Sequence, residues 1–340
     1  MLDVWLRHKS RADPYARPLC LVLVYHYSRG TAVVPLPITG NAEREETGLV
    51  GATDNAAERD EPRFKLAIVY HPDFAAYGYP ALRDRVAPAF AELEERGLLA
   101  MGRVEVLQAE PADVKLAERV HSPSHIHAVI NSGYYDIALL SAGSVIQGAV
   151  EVTAGGAESS FSFVGAAGHH ASCDGFWGFC YLNDVAMAIA YLREVIHVKR
   201  FAIVDIDPHF GDGTRDILGP DPEVLHVNFH SGYAMGGQDG PNNLDIALPH
   251  QADDGRFMAG VEDALRAVRE FDHDLLFVIF GHDNHRDDYG AFELSDGAYA
   301  VFARRVKELF PCRVCYVLSG GANPRVARRA IGDVVEVLAN

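Results

Sequence analysis

The stretch FAIVDIDPHFGDG (Phe201 to Gly213) indicates how this chain folds, because an apolar run passes directly into a polar turn. Its first residues are apolar without alternation, which is typical of a strand covered on both faces. Similar runs recur along the sequence, separated by segments with apolar residues every three or four positions, as in amphipathic helices. Strands that alternate with helices predict an α/β fold with a mainly parallel sheet, right-handed crossovers and helices on both faces.

Six apolar runs are predicted to form strands and three amphipathic segments to form helices. The strands are predicted at Phe64 to His71, Ser162 to Gly168, Phe201 to Asp207, Val224 to His230, Leu275 to Asp283 and Cys312 to Gly321. The helices are predicted at Asn183 to Ile196, Arg256 to Phe271 and Asp296 to Phe310. No internal repeat and no glycine-rich phosphate loop accompanies them, which weakens any nucleotide-binding interpretation.

The segment that precedes these elements differs in composition. Residues Asn41 to Arg63 are rich in Glu, Asn, Gly and Asp and lack periodicity, which predicts a loop or linker. Further upstream, Leu19 to Tyr25 is apolar but too short for a signal sequence, and we expect a strand there. The sequence therefore predicts an N-terminal extension with its linker over residues 1–63 and one larger domain over residues 64–340.

Charge and composition exclude several classes of protein. The 340 residues carry 30 Lys and Arg against 47 Asp and Glu, a net charge of −17 without any basic tract, which argues against a nucleic-acid partner. No apolar run approaches the ~20 residues that cross a bilayer, so no membrane association is expected and a cytoplasmic location is predicted. Five cysteines without framework spacing make a disulfide scaffold improbable.

Polar residues end several of the predicted strands, and in an open parallel sheet ligands bind beyond the carboxyl ends of the strands. Asp205, Asp207 and His209 point the same way if the strand stays extended as far as the turn, because side chains alternate along a strand. Two carboxylates and an imidazole on one face form half of a metal site that suits zinc and its divalent neighbours.

Two other strand ends complete this metal site. The run that ends in Gly281-His282-Asp283 offers Asp283 as a third ligand, and the adjacent His169 and His170 follow another run. A metal lowers the pKa of a bound water to ~7, and neighbouring histidines can take and return its proton. The spare carboxylates Asp205 and Asp212 can orient those histidines.

The chain resembles the histone deacetylase and acetylpolyamine amidohydrolase family from about Phe64 to the C-terminus. The motifs that carry the resemblance are GHHA (Gly168 to Ala171), GFCYLNDVAMAI (Gly178 to Ile189), VDIDPHFGDGT (Val204 to Thr214), NFH (Asn228 to His230), GHD (Gly281 to Asp283) and, less closely, LSGGAN (Leu318 to Asn323). The resemblance implies a three-layer arginase/deacetylase-like fold. It also implies a zinc-dependent hydrolase that removes an acetyl or other acyl group from an amine.

Residue by residue, the resemblance implies one zinc ion held by Asp207, His209 and Asp283. A structural potassium ion is expected near the backbone of residues 205–209. By the same resemblance Gly178 lies close to the substrate and Phe179 forms one wall of the acyl-chain tunnel.

The resemblance also assigns the proton chemistry. His170 would be the general base and then the general acid, with Asp212 behind it. His169, oriented by Asp205, would be its electrostatic partner. The expected substrate is an acylated amine, either an acyl-lysine, an acetylpolyamine or a related small amide. The acidic chain leaves room for a cationic substrate and for a homo-oligomer.

One departure from the family concerns the oxyanion donor. The family's catalytic tyrosine follows a glycine run, where this sequence has Gly320-Gly321-Ala322-Asn323. Three explanations are open: the amide of Asn323 donates, another residue such as His282 or a tyrosine from a different loop donates, or the protein binds acyl groups and hydrolyses them poorly. A binuclear ureohydrolase on the same fold is a further alternative, although Gly211 stands where it would need an Asp.

Overall fold

A computed structural model describes residues 62–232, 240 and 242–340 of the chain. Eight strands form one sheet in the order β2-β1-β3-β8-β7-β4-β5-β6, and every neighbouring pair is parallel. Because side chains alternate along a strand, the complete burial of every residue of β7 means that both faces of the sheet are covered. The predicted three-layer α/β fold is confirmed.

The elements follow one another in regular alternation. The strands are β1 (Phe64–Tyr70), β2 (Val104–Gln108), β3 (Ala157–Ser162), β4 (Phe201–Asp205), β5 (Val224–Ser231), β6 (Asn243–Leu248), β7 (Leu275–Phe280) and β8 (Val314–Leu318). The helices are α1 (Asp73–Ala76), α2 (Pro80–Glu95), α3 (Val114–Val120), α4 (Pro123–Ser132), α5 (Tyr135–Thr153), α6 (Asp184–Tyr191), α7 (Asp212–Leu218), α8 (Asp254–Glu270), α9 (Ala298–Leu309) and α10 (Pro324–Ala339). A 3₁₀ turn at Leu98–Ala100 and a π-helical turn at Leu192–Ile196 complete them.

Five of the six predicted strands and all three predicted helices are confirmed within a few residues. The strand predicted at Ser162 to Gly168 is wrong, since β3 occupies the polar segment just before it. Serines suit this strand because their hydroxyls bond to main-chain carbonyls: Ser159 Oγ donates to Lys65 O and Ser162 Oγ to Ser144 O. The small serine side chains also leave room for α5, whose Gly148 lies directly against them.

Two strands, β2 and β6, were not predicted. They are the edges of the sheet, and their burial alternates or is partial, so neither forms the continuous apolar run by which the central strands are recognised. The predicted extension over residues 1–63 lies outside the described residues except for its last two, as does the predicted strand at Leu19 to Tyr25. Among the described helices none has the length and apolarity to span a bilayer.

The strand order creates the place where a site can form. Strands β3 and β4 are consecutive in the chain, yet β8 and β7 lie between them in the sheet. Connections that leave in opposite directions open a crevice at the carboxyl ends of these four strands. The loops that follow β3, β4, β7 and β8 therefore meet over the middle of the sheet.

Helix α7 ties the loop after β3 to the loop after β4, and Gly213 is the point of closest approach. A Cβ at Gly213 would lie 2.4 Å from the carbonyl carbon of Ala171, whereas a Cβ at Gly255, the second residue of α8, would meet only Asp253 Oδ1 at 3.6 Å. We expect Gly213→Ala to lower the free energy of unfolding by about 1–3 kcal/mol through overpacking.

The matched change Gly255→Ala should stabilise the protein by about 0.5–1 kcal/mol, because alanine costs less backbone entropy in a helix. Urea denaturation of both variants checks the pair. Equal effects of the two substitutions would contradict the close packing of Gly213 on Ala171.

Candidate active site

Three side chains beyond β4 and β7 converge in a geometry that suits a metal ion. The Nδ1 atom of His209 lies 2.8 Å from Asp207 Oδ1 and 3.2 Å from Asp283 Oδ2, and the ligand atoms of all three residues lie within 4.8 Å of one another. Both carboxylates are buried, and the oxygens of Asp283 accept no well-aligned hydrogen bond among the described residues. Burial and the neighbouring Asp207 carboxylate together raise the pKa of Asp283 to about 7. A divalent cation would relieve both effects, so the residues fit the expected ion.

Glycines leave the space in which these ligands meet. A Cβ at Gly320 would lie 2.3 Å from both Asp207 Oδ2 and Asp283 Oδ2, and a Cβ at Gly281 would lie 2.6 Å from Asp283 Oδ1. The main-chain N–H of Gly320 also donates to Asp207 Oδ2 at 3.0 Å. The glycines of the GHD and LSGGAN motifs are thus required because any side chain would enter the site.

His169 lies beside the metal ligands and is held by a buried carboxylate. Its Nδ1 donates to Asp205 Oδ2 at 3.0 Å, and its Nε2 lies 3.7 Å from Asp207 Oδ2. Burial alone would lower the pKa of His169, but the carboxylates of Asp207 and Asp205 outweigh it and raise the value to about 9. This imidazole therefore keeps a positive charge at neutral pH.

His170 has a different environment and a different charge. Its Nδ1 donates to Asp212 Oδ1 at 2.7 Å, and Trp177 stacks on its ring at a centroid distance of 3.7 Å while donating from Nε1 to the other oxygen of Asp212. Burial and the neighbouring His169 lower the pKa of His170 to about 4. With Nδ1 protonated toward Asp212, Nε2 is left as a free base.

Phe176 and Trp177 directly precede Gly178 in the sequence, which leaves a place at a substrate rim and simple packing as the two alternatives. Trp177 contacts both members of the His170–Asp212 pair and so lies in the site. The adjacent Phe176 packs on Tyr181 and His125. The signal in the sequence was the proximity of this aromatic pair to the glycine motif.

The loop that carries both histidines is fixed by Asn183, the N-cap of α6. Its Nδ2 donates to Ala171 O and to Thr214 Oγ1, both at 3.1 Å, and Thr214 N donates to His169 O. The main-chain N–H of Asn183 donates in turn to His121 Nε2. Asn183 thus holds the loop that carries His169 and His170.

His121 and His125 lie four positions apart, and Pro123 between them predicts a break in the helix, with a helix-surface or capping place for the two histidines. His121 is the C-cap of α3, but both side chains are buried and neither lies on the surface. Their rings stack at 4.1 Å, His121 Nδ1 bonds to Ser172 O, and His125 Nε2 bonds to Tyr181 O. The predicted break at Pro123 is correct, since α3 ends at Val120 and α4 starts at the proline. They hold the segment that carries Trp177 and do not form a second metal site.

Gly178 and Phe179 lie on the loop beside His170. Gly178 has a φ of +64°, and a Cβ there would lie 3.2 Å from His170 Cδ2, so glycine is favoured by both conformation and space. Phe179 is half-buried, stacks on Tyr79 at 4.7 Å and meets Tyr289 edge-on at 6.1 Å. These positions are compatible with the predicted tunnel wall.

The glycine turn after β8 is fixed by a buried arginine from α2. Arg85 Nη1 donates to Gly320 O and Gly321 O, both at 2.6 Å, and its Nη2 donates to Ser319 O. Arg85 Nη1 also lies 3.2 Å from Nε2 of the buried His282. One guanidinium therefore contacts four acceptors, three main-chain carbonyls after β8 and one imidazole nitrogen after β7.

Comparisons with known proteins agree with this site. The histone deacetylase domain matches residues 79–338. A "Probable deacetylase" of Archaeoglobus fulgidus is 28% identical over 75% of this chain and 80% of its own length. An acetylpolyamine amidohydrolase of Burkholderia pseudomallei is 30% identical over 57% of this chain and 60% of its own. Histone deacetylase 5 of Arabidopsis thaliana is 29% identical over 72% of this chain but only 44% of its own length.

The fold and the carboxylate–histidine centre define a class of α/β protein with a group of potential metal ligands at the carboxyl edge of a parallel sheet. Within that class, the chain belongs to the histone deacetylase domain family, since the match covers most of its length. The solved structure of the HDA15 HD domain superposes with a TM-score of 0.73 at 22% identity, over 81% of this chain and 90% of that one, which supports the fold.

Removal of one ligand tests the metal centre. We expect Asp283→Asn, which keeps the size of the side chain, to weaken zinc binding by more than ~100-fold. Mutation of a residue that only hydrogen-bonds to a metal ligand already costs ~10- to 100-fold in affinity, and loss of a ligand should cost more. Calorimetric titration with zinc at pH 7 measures the change, and Asp263→Asn on the exposed face of α8 is the control. Unchanged zinc affinity in Asp283→Asn would contradict the assignment of Asp207, His209 and Asp283.

Proposed function

We propose that the protein is a zinc-dependent hydrolase that removes an acetyl or other acyl group from an amine. The observation that carries the proposal is the pair of histidine–carboxylate contacts, His169–Asp205 and His170–Asp212, beside one group of metal-ligating side chains. Against the cost of burial, the carboxylates of Asp207 and Asp205 raise the pKa of His169, whereas burial lowers the pKa of His170, and this difference suits electrostatic stabilisation and proton transfer respectively.

Membership of the histone deacetylase domain family supports hydrolysis of an amide. The relatives named as deacetylases and as an acetylpolyamine amidohydrolase indicate the class of bond. A polyamine deacetylase of Mus musculus, HDAC10, is a further relative at 27% identity, with 48% of its length covered. We therefore propose acyl amines as the class of substrate for this chain.

Asp207, His209 and Asp283 would hold the ion, which would polarise water and the substrate carbonyl when bound. His170 Nε2 accepts a proton from the attacking water as its oxygen adds to the carbonyl carbon. His170 then returns that proton to the nitrogen as the C–N bond breaks, so that a carboxylic acid and an amine leave. Asp212 keeps the His170 ring in the required tautomer, and charged His169 stabilises negative charge that develops nearby.

A catalytically impaired acyl-binding protein is the alternative, and the sequence Ala322-Asn323 in place of the family's tyrosine is the observation that favours it. A binuclear ureohydrolase has less support. Within the described residues, Asp207, His209 and Asp283 are the one group of three potential ligands, and Gly211 supplies no further carboxylate. The predicted potassium ion near residues 205–209 and the cytoplasmic location stay predictions.

Replacement of His170 tests the proposed proton transfer. We expect His170→Ala to lower kcat on an acetyl-lysine peptide or on N-acetylputrescine by ~10²- to 10⁴-fold, since a positioned acid–base group contributes about that much. Asp212→Asn should lower kcat less, because the ring stays in place while its orientation weakens.

Zinc content by mass spectrometry should match the wild type in both variants. His127→Ala, which changes an exposed histidine of α4, is the control for loss of an imidazole. A His170→Ala variant with wild-type kcat and full zinc content would refute the proposed role.

The charge of the substrate can be tested separately. Asp174 lies on the loop that carries Trp177, Asp212 begins α7 beside His170, and the whole chain is acidic, so we propose a preference for cationic amines. N-acetylputrescine should be hydrolysed with a kcat/KM about 10-fold above that of neutral N-butylacetamide at low ionic strength. The ratio should fall as salt is added, because exposed charges are screened. A ratio of one at all salt concentrations would exclude the preference.

A further inference from the structure

The glycine turn leaves open which group stabilises the oxyanion that forms during amide hydrolysis. Ala322 has no donor side chain, and the amide of Asn323 is already used within the protein. Its Oδ1 accepts from Arg325 N as the N-cap of α10, and its Nδ2 donates to Asp287 O at 2.8 Å. The substrate contact predicted for Asn323 stays a prediction, while in the structure its amide caps α10 and bonds to Asp287 O.

His282, the other residue named for this role, is also committed. Its ring is fully buried, Nδ1 lies 3.1 Å from Asp288 Oδ2, and Nε2 faces the guanidinium of Arg85 at 3.2 Å. A Cβ at Gly321 would lie 2.2 Å from the His282 Nδ1 atom, so the glycine turn covers the ring. Neither nitrogen of His282 can reach a substrate in this arrangement.

Tyr289, from the loop after β7, lies where the glycine turn meets the metal ligands. Its ring is 5.8 Å from that of His209 and meets Phe179 edge-on, so it stands between a metal ligand and the expected tunnel wall. The main-chain N–H of Gly321 donates to Tyr289 Oη at 3.0 Å. Among the described aromatic contacts, Tyr289 is the tyrosine that adjoins a metal ligand.

We propose that Tyr289 is the catalytic hydrogen-bond donor that stabilises the oxyanion, a role that the family's motif gives to a tyrosine after the glycine run. The inference rests on the proposed hydrolase function. As the water oxygen bonds to the carbonyl carbon, the C=O π electrons move to the carbonyl oxygen, which then accepts a hydrogen bond from Tyr289 Oη. That bond is released when the carbonyl re-forms and the C–N bond breaks.

The hydroxyl proton of Tyr289 is available for this donation. Gly321 N–H donates into the phenolic oxygen, and Tyr289 Oη donates no hydrogen bond to any described residue. Burial raises the pKa of Tyr289 above its ordinary value, and the carboxylates of Asp283 and Asp207 raise it further. The phenol therefore keeps its proton at neutral pH.

Asp288 fixes the backbone from which Tyr289 projects. Its carboxylate is almost fully buried and accepts from the N–H groups of Ala322 and Asn323 at 3.0 Å. It also accepts from His282 Nδ1. The loop after β7 is thus fastened to the loop after β8 directly beside the tyrosine.

The test compares Tyr289→Phe with the wild type on an acetyl-lysine peptide. Loss of one oxyanion donor should lower kcat by ~10²- to 10³-fold with little change in KM. With a trifluoroacetyl-lysine peptide, whose carbonyl is more reactive, kcat should fall by a smaller factor. Tyr316→Phe is the matched control, since its hydroxyl lies buried in β8 without a hydrogen-bond partner and should be dispensable.

A second measurement does not depend on turnover. The trifluoromethyl ketone analogue of acetyl-lysine binds as a tetrahedral hydrate, so calorimetry should give it at least a ~10-fold weaker affinity for Tyr289→Phe than for the zinc-loaded wild type. Equal affinities of Tyr289→Phe and the wild type for the ketone would overturn the inference, whether or not kcat falls. A wild-type chain that binds no ketone would overturn it as well.

These outcomes separate the inference from the proposed function. If Tyr289→Phe keeps the ketone affinity and kcat of the wild type while His170→Ala is inactive, the hydrolase function stands and Tyr289 is not the donor. If the wild type hydrolyses no acyl amide but loses ketone affinity on Tyr289→Phe, the function fails and the assignment of the donor stands.

Discussion

Two buried carboxylates placed side by side, Asp207 and Asp283, are the constraint on which the rest of the site depends. Bringing charges out of water costs several kcal/mol per ion, so they persist only where opposite charge and donors surround them. The protein supplies His209 and the N–H of Gly320, and the open space between the three side chains suits a cation. The glycines of two motifs follow from the same constraint, because any larger residue would fill that space.

The parallel sheet makes this concentration of charge possible. Strands β3, β8, β7 and β4 are neighbours in space although their connections are long, so four loops contribute to one crevice. The loop after β3 brings the two histidines, and the loop after β4 brings Asp207 and His209. The loop after β7 brings Asp283 and Tyr289, while the loop after β8 brings the main-chain donors. Each loop alone carries only a fragment of the chemistry.

The sequence was most informative where one local pattern determined the structure. The strands β4, β7 and β8 are continuous apolar runs, and the site residues beyond them could be named because alternation and strand ends are local properties. The strand β3 was misplaced because its serines bond to neighbouring carbonyls, which only the sheet reveals. Tyr289 could not be singled out, since its position depends on Asp288 bonding to the N–H groups of two residues more than thirty positions away. The orientation of Trp177 on His170 likewise depends on a contact that the local sequence does not reveal.

The buried guanidinium of Arg85 has a consequence for the order of folding. It bonds to carbonyls that lie 234 to 236 residues further along the chain, in the turn that follows the last strand. Contacts of such long separation form late, because the entropy of closing the loop must be offset before they are made. During synthesis, α2 emerges long before its partners and cannot reach its final contacts until β8 has left the ribosome. A nascent fragment that lacks β8 therefore lacks the three carbonyls that Arg85 binds and the Gly320 N–H that donates to Asp207.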